Sequence, residues 1–220
     1  YSINLKVVNA CGSSDTTKQI TVYKMPQAKF QNLASGCIPH SVTFNNTSVT
    51  DFTSTASYTW SFGNGQSAAI KSPAKQTYTD SGFYTIKLRL EDNCGVDSVS
   101  QTIRVELIPT ISIAHDSTGC TSDSLKFINN SSDATYVAYN FGDGTADTAF
   151  GNITIKHSYN LSGNYTVICK AVGPLNCSIL DTLQVNIKQS SVAIFSTNKI
   201  AGCAGDSFTF SNSSVFAKDF

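Results

Sequence analysis

The sequence has few charges, few acidic side chains that could act in pairs, and no long apolar run. Only 14% of its 220 residues are charged, and 15 basic residues balance 15 acidic ones, so the formal net charge is zero. This balance provides no basic surface for nucleic acid or for an anionic membrane. No segment approaches the ~20 apolar residues that a membrane helix needs. We therefore expect no nucleic-acid partner and no membrane insertion in this segment.

The sequence also lacks the combinations of residues that are typical of catalytic and metal-binding sites. Glutamate occurs only at Glu91 and Glu106, so paired carboxylates for glycoside hydrolysis have no obvious source. The three histidines, His40, His115 and His157, are not spaced as metal ligands. No nucleophile elbow accompanies the many serines. We therefore predict that the chain is not an enzyme and has no catalytic residue, no metal site and no cofactor.

Three sequence markers recur with the same period of 83 residues: an early cysteine, a late cysteine, and a phenylalanine that opens a Phe-x-Asn-x-Ser run. In chain order they are Cys37, Cys120 and Cys203; Cys11, Cys94 and Cys177; and Phe44, Phe127 and Phe210. Three independent markers in one register indicate internal repeats.

The period divides the chain into four parts. We predict that residues 1–25 are the C-terminal strands of a preceding repeat, that 26–108 and 109–190 are complete repeats, and that 191–220 are the N-terminal strands of a following repeat. An interval of this length suits a small self-standing domain rather than a solenoid turn. We therefore expect the chain to be a segment of a longer tandem array whose natural N-terminus lies elsewhere.

Each complete repeat contains short segments of alternating apolar and polar residues, separated by turn signals, and no window has helical periodicity. This pattern predicts an all-β fold, with immunoglobulin-like antiparallel β-sandwiches joined end to end. Only residues 107–110 separate the last strand of the first complete repeat from the first strand of the next. Such a short connection predicts a semi-rigid chain of domains.

Both complete repeats carry the same strand-and-turn motif. It reads Trp-Ser-Phe-Gly-Asn-Gly at 60–65 and Tyr-Asn-Phe-Gly-Asp-Gly at 139–144, and Gly-x-Tyr-Thr follows at 82–85 and 163–166. Between its two parts stand Tyr78 in the first repeat and His157-Ser158-Tyr159 in the second. Both repeats resemble the PKD (polycystic kidney disease) repeat, whose pattern is W-x-F-G-D-G, H-x-Y and G-x-Y-x-V-x-L. The first repeat departs from it at Asn64 and Gln76, and the second at Tyr139.

The Phe-Gly-Asp-Gly segment has a structural interpretation and a metal-binding alternative. Glycine permits positive φ, and Asp or Asn bonds nearby backbone amides, so we interpret the segment as a tight turn. Calcium needs six or more oxygen ligands. A single carboxylate, which the first repeat lacks, does not supply them, so calcium stays an alternative only.

The cysteine segments, Gly36-Cys37-x-Pro39 and Asn93-Cys94-Gly95, resemble those in repeats of large surface adhesins of the Bacteroidota, including gliding-motility adhesins exported by the type IX secretion system. This resemblance implies a bacterial cell-surface location and a role in cell adhesion. The partners that it implies are neighbouring repeats of the same chain, surface polysaccharide, or the secretion and motility machinery.

Seven cysteines, six of them periodic, indicate an oxidising, extracellular environment. Pairing within a repeat would join Cys37 with Cys94, and Cys120 with Cys177. Strand rise places Cys37 and Cys94 near opposite ends of one domain, roughly 40 Å apart, whereas a disulfide needs Cα atoms about 4.4–6.8 Å apart. We therefore predict a bridge across the domain junction, Cys37 with Cys177, and keep pairing within a repeat as the alternative.

The junction bridge leaves five other cysteines. We expect four of them to pair with repeats outside this segment: Cys11, Cys94, Cys120 and Cys203. Cys169 occupies the position of Leu88 in the second repeat, between Val167 and Ala171, so we predict a free, buried thiol there.

Four Asp-Ser/Thr-aliphatic segments resemble the O-glycosylation signal of Bacteroidota surface proteins. The hydroxyl residues concerned are Ser98, Ser124, Thr148 and Thr182. The alternative interpretation is that the aspartate caps a local turn, and the two are weighted equally.

We predict that the chain is a stalk or spacer that projects and mechanically supports a distal binding region of a long surface adhesin. Two alternatives stay open: a module that binds carbohydrate or protein directly, and an accessory domain of a secreted hydrolase.

Overall fold

The computed structural model describes residues 1–216, so the last four residues of the predicted following repeat, 191–220, lie outside the described part. The chain divides into two compact units, Tyr1–Glu106 and Leu107–Phe220. Strands dominate both, and the one helical segment in the described residues is a 3₁₀ turn at Pro174–Asn176. The predicted all-β fold is confirmed.

The first unit contains nine strands. They are β1 (Ser2–Asn9), β2 (Gly12–Gln19), β3 (Gly36–Cys37), β4 (His40–Val42), β5 (Ser57–Ser61), β6 (Ser67–Ala68), β7 (Gln76–Tyr78), β8 (Gly82–Asp92) and β9 (Gly95–Glu106). One sheet has the order β3-β9-β8-β5-β6, and the facing pair is β4-β7. Strands β1 and β2 form a separate hairpin.

The second unit repeats this plan. Its strands are β10 (Ile113–His115), β11 (Thr118–Cys120), β12 (Leu125–Asn129), β13 (Tyr136–Asn140), β14 (Ala146–Phe150), β15 (Thr154–His157), β16 (Gly163–Val172), β17 (Ser178–Lys188), β18 (Phe195–Thr197) and β19 (Phe210–Asn212). The sheets are β11-β17-β16-β13-β14 and β10-β12-β15, with β18-β19 apart. The five-stranded sheets of the two units match strand by strand, whereas the facing sheet has two strands in the first unit and three in the second.

The prediction of purely antiparallel sheets was wrong at one place in each domain. Strand β3 pairs with β9 in parallel, and β11 pairs with β17 in parallel. A parallel pair needs a long connection. Here that connection is the rest of the domain itself, because the paired strands come from its beginning and its end.

Alternation along the strands builds one core in each domain. In β5, every second residue is buried, and the same alternation in β8 buries Ile86, Leu88 and Leu90. Trp60, Ile86 and Leu88 are fully buried. Tyr139 and Cys169 take the places of Trp60 and Leu88 in the second core and are equally enclosed. The two cores are separate clusters of apolar residues.

The β1–β2 hairpin has the same pattern but no second sheet over it in the described residues. Leu5 is 64% exposed, whereas Leu88, 83 residues later in the equivalent hairpin, is fully buried. The apolar face of this hairpin therefore corresponds to the core face of a complete repeat. The boundaries of the partial repeats stay predictions. The described residues include no helix with the length and apolar character to cross a membrane.

Candidate functional site

The glycine turn after β5 and β13 is built around close backbone contact. Gly63 and Gly142 have φ values of 77° and 79°. A Cβ atom on Gly63 would lie 2.8 Å from the amide nitrogen of Thr85, and one on Gly142 would lie 2.7 Å from the carbonyl oxygen of Thr166. Glycine is therefore required twice over, by the left-handed backbone and by the lack of space.

A buried tyrosine fastens this turn in both domains. The Tyr78 hydroxyl donates to the carbonyl oxygen of Phe62 at 2.9 Å, and the Tyr159 hydroxyl donates to that of Phe141 at 3.1 Å. Burial, with a smaller contribution from Tyr84, raises the pKa of Tyr78 to about 12. Burial likewise raises the pKa of Tyr159. Both hydroxyls are therefore neutral donors that hold the turn against the sheet.

A second tyrosine packs on the first. The ring of Tyr84 lies 4.4 Å from that of Tyr78, and its hydroxyl donates to the carbonyl oxygen of Asp80 at 2.9 Å. Tyr165 contacts Tyr159 in the same way at 4.2 Å. Both tyrosines of the motif thus close loops of their own domain.

The second domain has a histidine–aspartate pair at the turn. His157 Nε2 donates to Asp143 Oδ2 at 2.8 Å, and the His157 ring stacks on Phe141 with centroids 3.9 Å apart. The side chains of His157 and Asp143 are only 14% and 18% exposed. Thr145 also donates to Asp143, from its hydroxyl at 2.6 Å and its amide at 3.0 Å.

These contacts determine the ionisation of Asp143. Burial acts to raise its pKa, but the hydrogen bonds from Thr145 and His157 outweigh burial and hold the pKa below its ordinary value. In the first domain, Asn64 Oδ1 accepts the amide of Gln66 at 3.1 Å, so an uncharged side chain makes the same local bond. The turn therefore has the same local bond in both domains, made by Asn64 in the first and by Asp143 in the second.

The calcium alternative gains no ligand set from this arrangement. Asp143 uses its oxygens for Thr145 and His157. Within residues 1–216, no group of three or more His, Cys, Asp or Glu side chains is placed to hold a metal ion. The other two histidines contact backbone carbonyls, His40 at Ala34 (2.9 Å) and His115 at Gln184 (3.4 Å).

The Phe-x-Asn-x-Ser run has a role that the sequence pattern did not reveal. Asn129 Oδ1 accepts the amide of Ser131 at 3.0 Å, while its Nδ2 donates to the carbonyl of Gly151 at 2.9 Å. The Ser131 hydroxyl oxygen accepts the amide of Ser112 at 3.2 Å. One asparagine and one serine thus tie three chain segments together, and we call this arrangement the Asn clip.

The Asn clip recurs with the 83-residue period. Asn46 bonds Ser48 at 2.9 Å and the carbonyl of Lys71 at 2.9 Å, and Asn212 bonds Ser214 at 2.9 Å. The recurring marker therefore reflects a structural bond rather than a ligand site.

The cysteines fall into two states. Cys37 and Cys177 are disulfide-bonded. The other five are free thiols: Cys11, Cys94, Cys120, Cys169 and Cys203. Pairing within a repeat would need Cys94 and Cys120 to be bonded, and both are free thiols.

Each periodic thiol sits in a bonded turn. The amide of Cys94 donates to Asp92 Oδ1 at 2.8 Å, and the amide of Cys120 donates to Asp123 Oδ2 at 2.7 Å. The same bonds recur at Cys11 and Cys203, with Asn9 and Asp206 as acceptors. Cys169 differs, because it lies in the core and is fully buried. Burial, with a smaller contribution from the charge of Asp181, raises its pKa to about 12.

The candidate glycosylation residues lie at the surface, with one exception. Ser98, Ser124 and Thr182 are exposed, and Thr148 is half-buried. Their preceding aspartates make specific bonds. Asp97, Asp147 and Asp181 each accept the amide of the very next residue, at 2.8, 2.7 and 2.8 Å, whereas Asp123 accepts the amide of Cys120.

Comparison with known proteins adds a family. Models of the PKD domain match residues 23–107 and 115–183. Among curated proteins, the pre-pro-metalloprotease PrtV of Vibrio cholerae serotype O1 is 34% identical over 99 residues. The match covers 44% of this chain and 10% of that protein, so it spans about a tenth of the relative's length.

The chain also has partial similarity to solved structures. The PKD1 domain of Vibrio anguillarum Epp is 32% identical, and the match covers 39% of this chain and 99% of that domain with a TM-score of 0.33. The I67–I69 fragment of titin is 13% identical, and the match covers 84% of this chain and 76% of that fragment with a TM-score of 0.45.

Proposed function

We propose that this chain, which carries two PKD domains in tandem, is a structural spacer in a longer extracellular protein. The observation that carries the proposal is that the polar groups of the shared motif bond within their own domain. Tyr78 and Tyr159 make the same bond in both domains, although the neighbouring polar residues differ. A motif kept for ligand binding would present such groups to solvent instead.

The segments that enter each domain support a spacer role. Before the first domain, the amide of Lys24 donates to Asp51 Oδ2 at 3.0 Å, and Tyr23 contacts Phe52 with ring centroids 4.6 Å apart. Before the second, Thr110 pairs with Ser132 through backbone and hydroxyl contacts. An entering segment fastened to the domain that it precedes limits bending, which suits a stalk.

The proposal includes the disulfide partner. Cys37 and Cys177 are the two bonded cysteines, and the five other thiols are free, so we take these two to be bonded to each other. Peptide mapping without reduction should yield one linked pair that contains both residues. A link between Cys37 and Cys94 would contradict this assignment and favour closure within a repeat.

We further propose the kind of protein to which the chain belongs, on the basis of the turns around its cysteines. We place the chain in a large surface adhesin of the Bacteroidota, of the type exported by the type IX secretion system for gliding motility. The bond at Cys94 recurs at Cys11, and the bond at Cys120 recurs at Cys203, which supports two turn designs that repeat with the period. Surface polysaccharide, or the secretion and motility machinery, is the partner class of such a protein. O-glycosylation at Ser98, Ser124, Thr148 and Thr182 belongs to the same proposal, and intact-mass analysis of the natively secreted protein tests it.

A second candidate function has one specific observation in its favour. The 34% identity to a bacterial pre-pro-metalloprotease suggests an accessory module of an exported hydrolase. In that role the domains would sit beside a catalytic domain outside the present sequence.

A replacement experiment in the full-length protein separates these functions. A spacer should tolerate exchange of residues 23–183 for two unrelated β-sandwich domains of similar length, with surface attachment or enzyme activity retained. Deletion of the same residues should reduce that activity, because the spacing changes. Loss of activity on exchange as well as deletion would contradict a spacer role and point to direct binding. A glycan array with the present chain then identifies the ligand class.

A further inference from the structure

Three Asp-Ser/Thr pairs share a local bond that recurs on strands. The carboxylates of Asp97, Asp147 and Asp181 each accept the amide N–H of the next residue in sequence. Neighbouring residues in a strand direct their amides to opposite sides. An aspartate that turns its carboxylate to the next amide therefore covers one side of its strand. We call this bond an edge cap.

The amide covered at Thr148 lies on an open sheet edge. Phe141 N–H donates to the carbonyl of Thr145 at 3.1 Å, and the ladder of β13 with β14 continues in register from there. Bonded and non-bonded pairs alternate in an antiparallel ladder. Asp147 and Ala149 therefore bond to β13, and the Thr148 amide points away from it. Strand β14 is outermost in its sheet.

The amide of Thr182 is in the same situation. Gly173 N–H donates to the carbonyl of Cys177 at 2.8 Å, so the alternation along β17 directs Thr182 away from β16. The strand on the other side, β11, pairs only with Asn186–Lys188. The Thr182 amide therefore also lies on an uncovered stretch.

Ser98 has the same bond in a more covered place, because Asp97 Oδ2 also accepts the amide of Ala28 at 2.8 Å. Ile38 N–H donates to the carbonyl of Glu106 at 2.9 Å, which shows that Glu106 faces away from β8. Ser98 is an even number of residues away in the same strand and faces the same side. Strand β3 pairs only with Val105 and Glu106, so it does not cover Ser98.

One Asp-Thr pair serves as an internal control. In the first hairpin, Ile20 N–H donates to the carbonyl of Tyr1. Bonded and non-bonded pairs alternate from there, so the pair of Thr16 with Leu5 is a bonded one. There, Asp15 makes no edge cap and accepts Asn4 Nδ2 at 3.0 Å instead. The edge cap thus occurs where the amide lacks a strand partner, and a ladder bond replaces it elsewhere.

We propose that these edge caps keep the sheets of one chain from pairing with the sheet edges of a second copy. An added strand needs free N–H donors at the edge, and an uncovered edge is a template for association. The edge cap removes one donor and places a negative charge where an incoming carbonyl oxygen would bind.

Strand β14 forms a longer sheet edge than its equivalent in the first domain. It has five residues, against two in the equivalent β6, and it contains neither proline nor lysine. Two copies of β14 paired antiparallel about Thr148 would set Ala146 opposite Phe150. Phe150 is 67% exposed in the chain. The bare edge is therefore self-complementary, as a two-fold contact requires.

The test uses the present chain with its four periodic free thiols alkylated and the buried Cys169 left unmodified. Asp147→Ala should convert a monomer into dimers or larger species in sedimentation velocity at concentrations where the unaltered chain stays monomeric. Asp80→Ala, which removes one negative charge elsewhere, should leave it monomeric. Adding Thr148→Pro to Asp147→Ala removes the exposed donor and should restore the monomer, since proline is tolerated on an edge.

A folded Asp147→Ala variant that stays monomeric would overturn the proposal, and so would failure of Thr148→Pro to reverse association. If Asp147→Ala does not fold, amide hydrogen exchange in the unaltered chain decides. The Thr148 amide should exchange more slowly than those of Ala146 and Phe150, which point the same way. Equal exchange at the three positions would show that the edge cap provides no protection.

Discussion

His157 Nε2 donates to Asp143 Oδ2 across 2.8 Å in the second PKD domain, whereas Gln76 and Asn64 occupy these positions in the first. Two copies of one fold thus have different polar side chains at the same turn: a histidine and a carboxyl group in the second domain, and two amides in the first.

The first prediction concerns pH. Because the folded pKa of Asp143 is lowered, its contribution to stability is present above its unfolded pKa, which is about 3.9 for aspartate, and is lost as pH falls through the folded value. The second domain should therefore lose stability in acid more steeply than the first. Thermal unfolding between neutral and acidic pH, followed domain by domain, measures this.

Asp143→Asn is the matched variant, since it makes the second turn resemble the first. It should flatten the acid dependence of the second domain while leaving that of the first unchanged. An equally steep loss in the variant would show that other carboxyl groups cause the acid sensitivity.

The second prediction concerns the Asn clip. Asn129→Ala should lower the free energy of unfolding of the second domain by about 1–3 kcal/mol, because the side chain is buried and its removal leaves the amide of Ser131 and the carbonyl of Gly151 without their partner. Asn130→Ala, at the exposed neighbouring position, should change it by less than about 0.5 kcal/mol. Urea unfolding compares the two, and equal effects would exclude a specific role for the clip.

The third prediction concerns the glycine turn. Gly142→Ala would place an alanine in a left-handed backbone conformation, with its Cβ 2.7 Å from the Thr166 carbonyl oxygen. It should therefore lower the free energy of unfolding clearly more than a substitution that has the backbone strain without the close contact. Gly144→Ala shares the positive φ but has open space around its Cβ. It should cost about 1 kcal/mol. Similar losses in the two variants would indicate that the close approach relaxes freely.

The fourth prediction concerns Cys169. With its thiol buried and its pKa raised to about 12, it should resist alkylation in the folded chain, because the thiolate is the reactive form. Cys11, an exposed thiol, should react under the same conditions. Mass spectrometry of iodoacetamide-treated protein locates the label, and rapid modification of Cys169 without unfolding would contradict its place in the core.

The sequence predicted the repeat and the all-β fold well, because both are written in local signals: the period of the cysteines and the alternation around Trp60 and Ile86. It did not predict the parallel pairing of β3 with β9, which joins residues from opposite ends of a domain. Nor did it assign a role to Asn129, since one of its two side-chain partners, the carbonyl of Gly151, lies 22 residues later in the chain.

The Asp-Ser/Thr pairs show why such roles are hidden. Asp15-Thr16 and Asp147-Thr148 look alike in the sequence, yet only the second forms an edge cap. The difference depends on which strands lie alongside, and that is a property of the assembled sheet. Local composition could flag these residues but could not separate a modification signal from a backbone bond.

The Asn clip has a consequence for how such a protein changes over time. Every side-chain bond of Asn46 ends within residues 46–71, and every side-chain bond of Asn129 ends within 129–151. The bond of Ser131 to Ser112 also stays within the second domain. A gene can therefore gain or lose one such module by recombination without breaking the clip of any module that remains. In the proposed spacer role, the length of the spacer would then be set by the number of modules, which selection can adjust in whole steps.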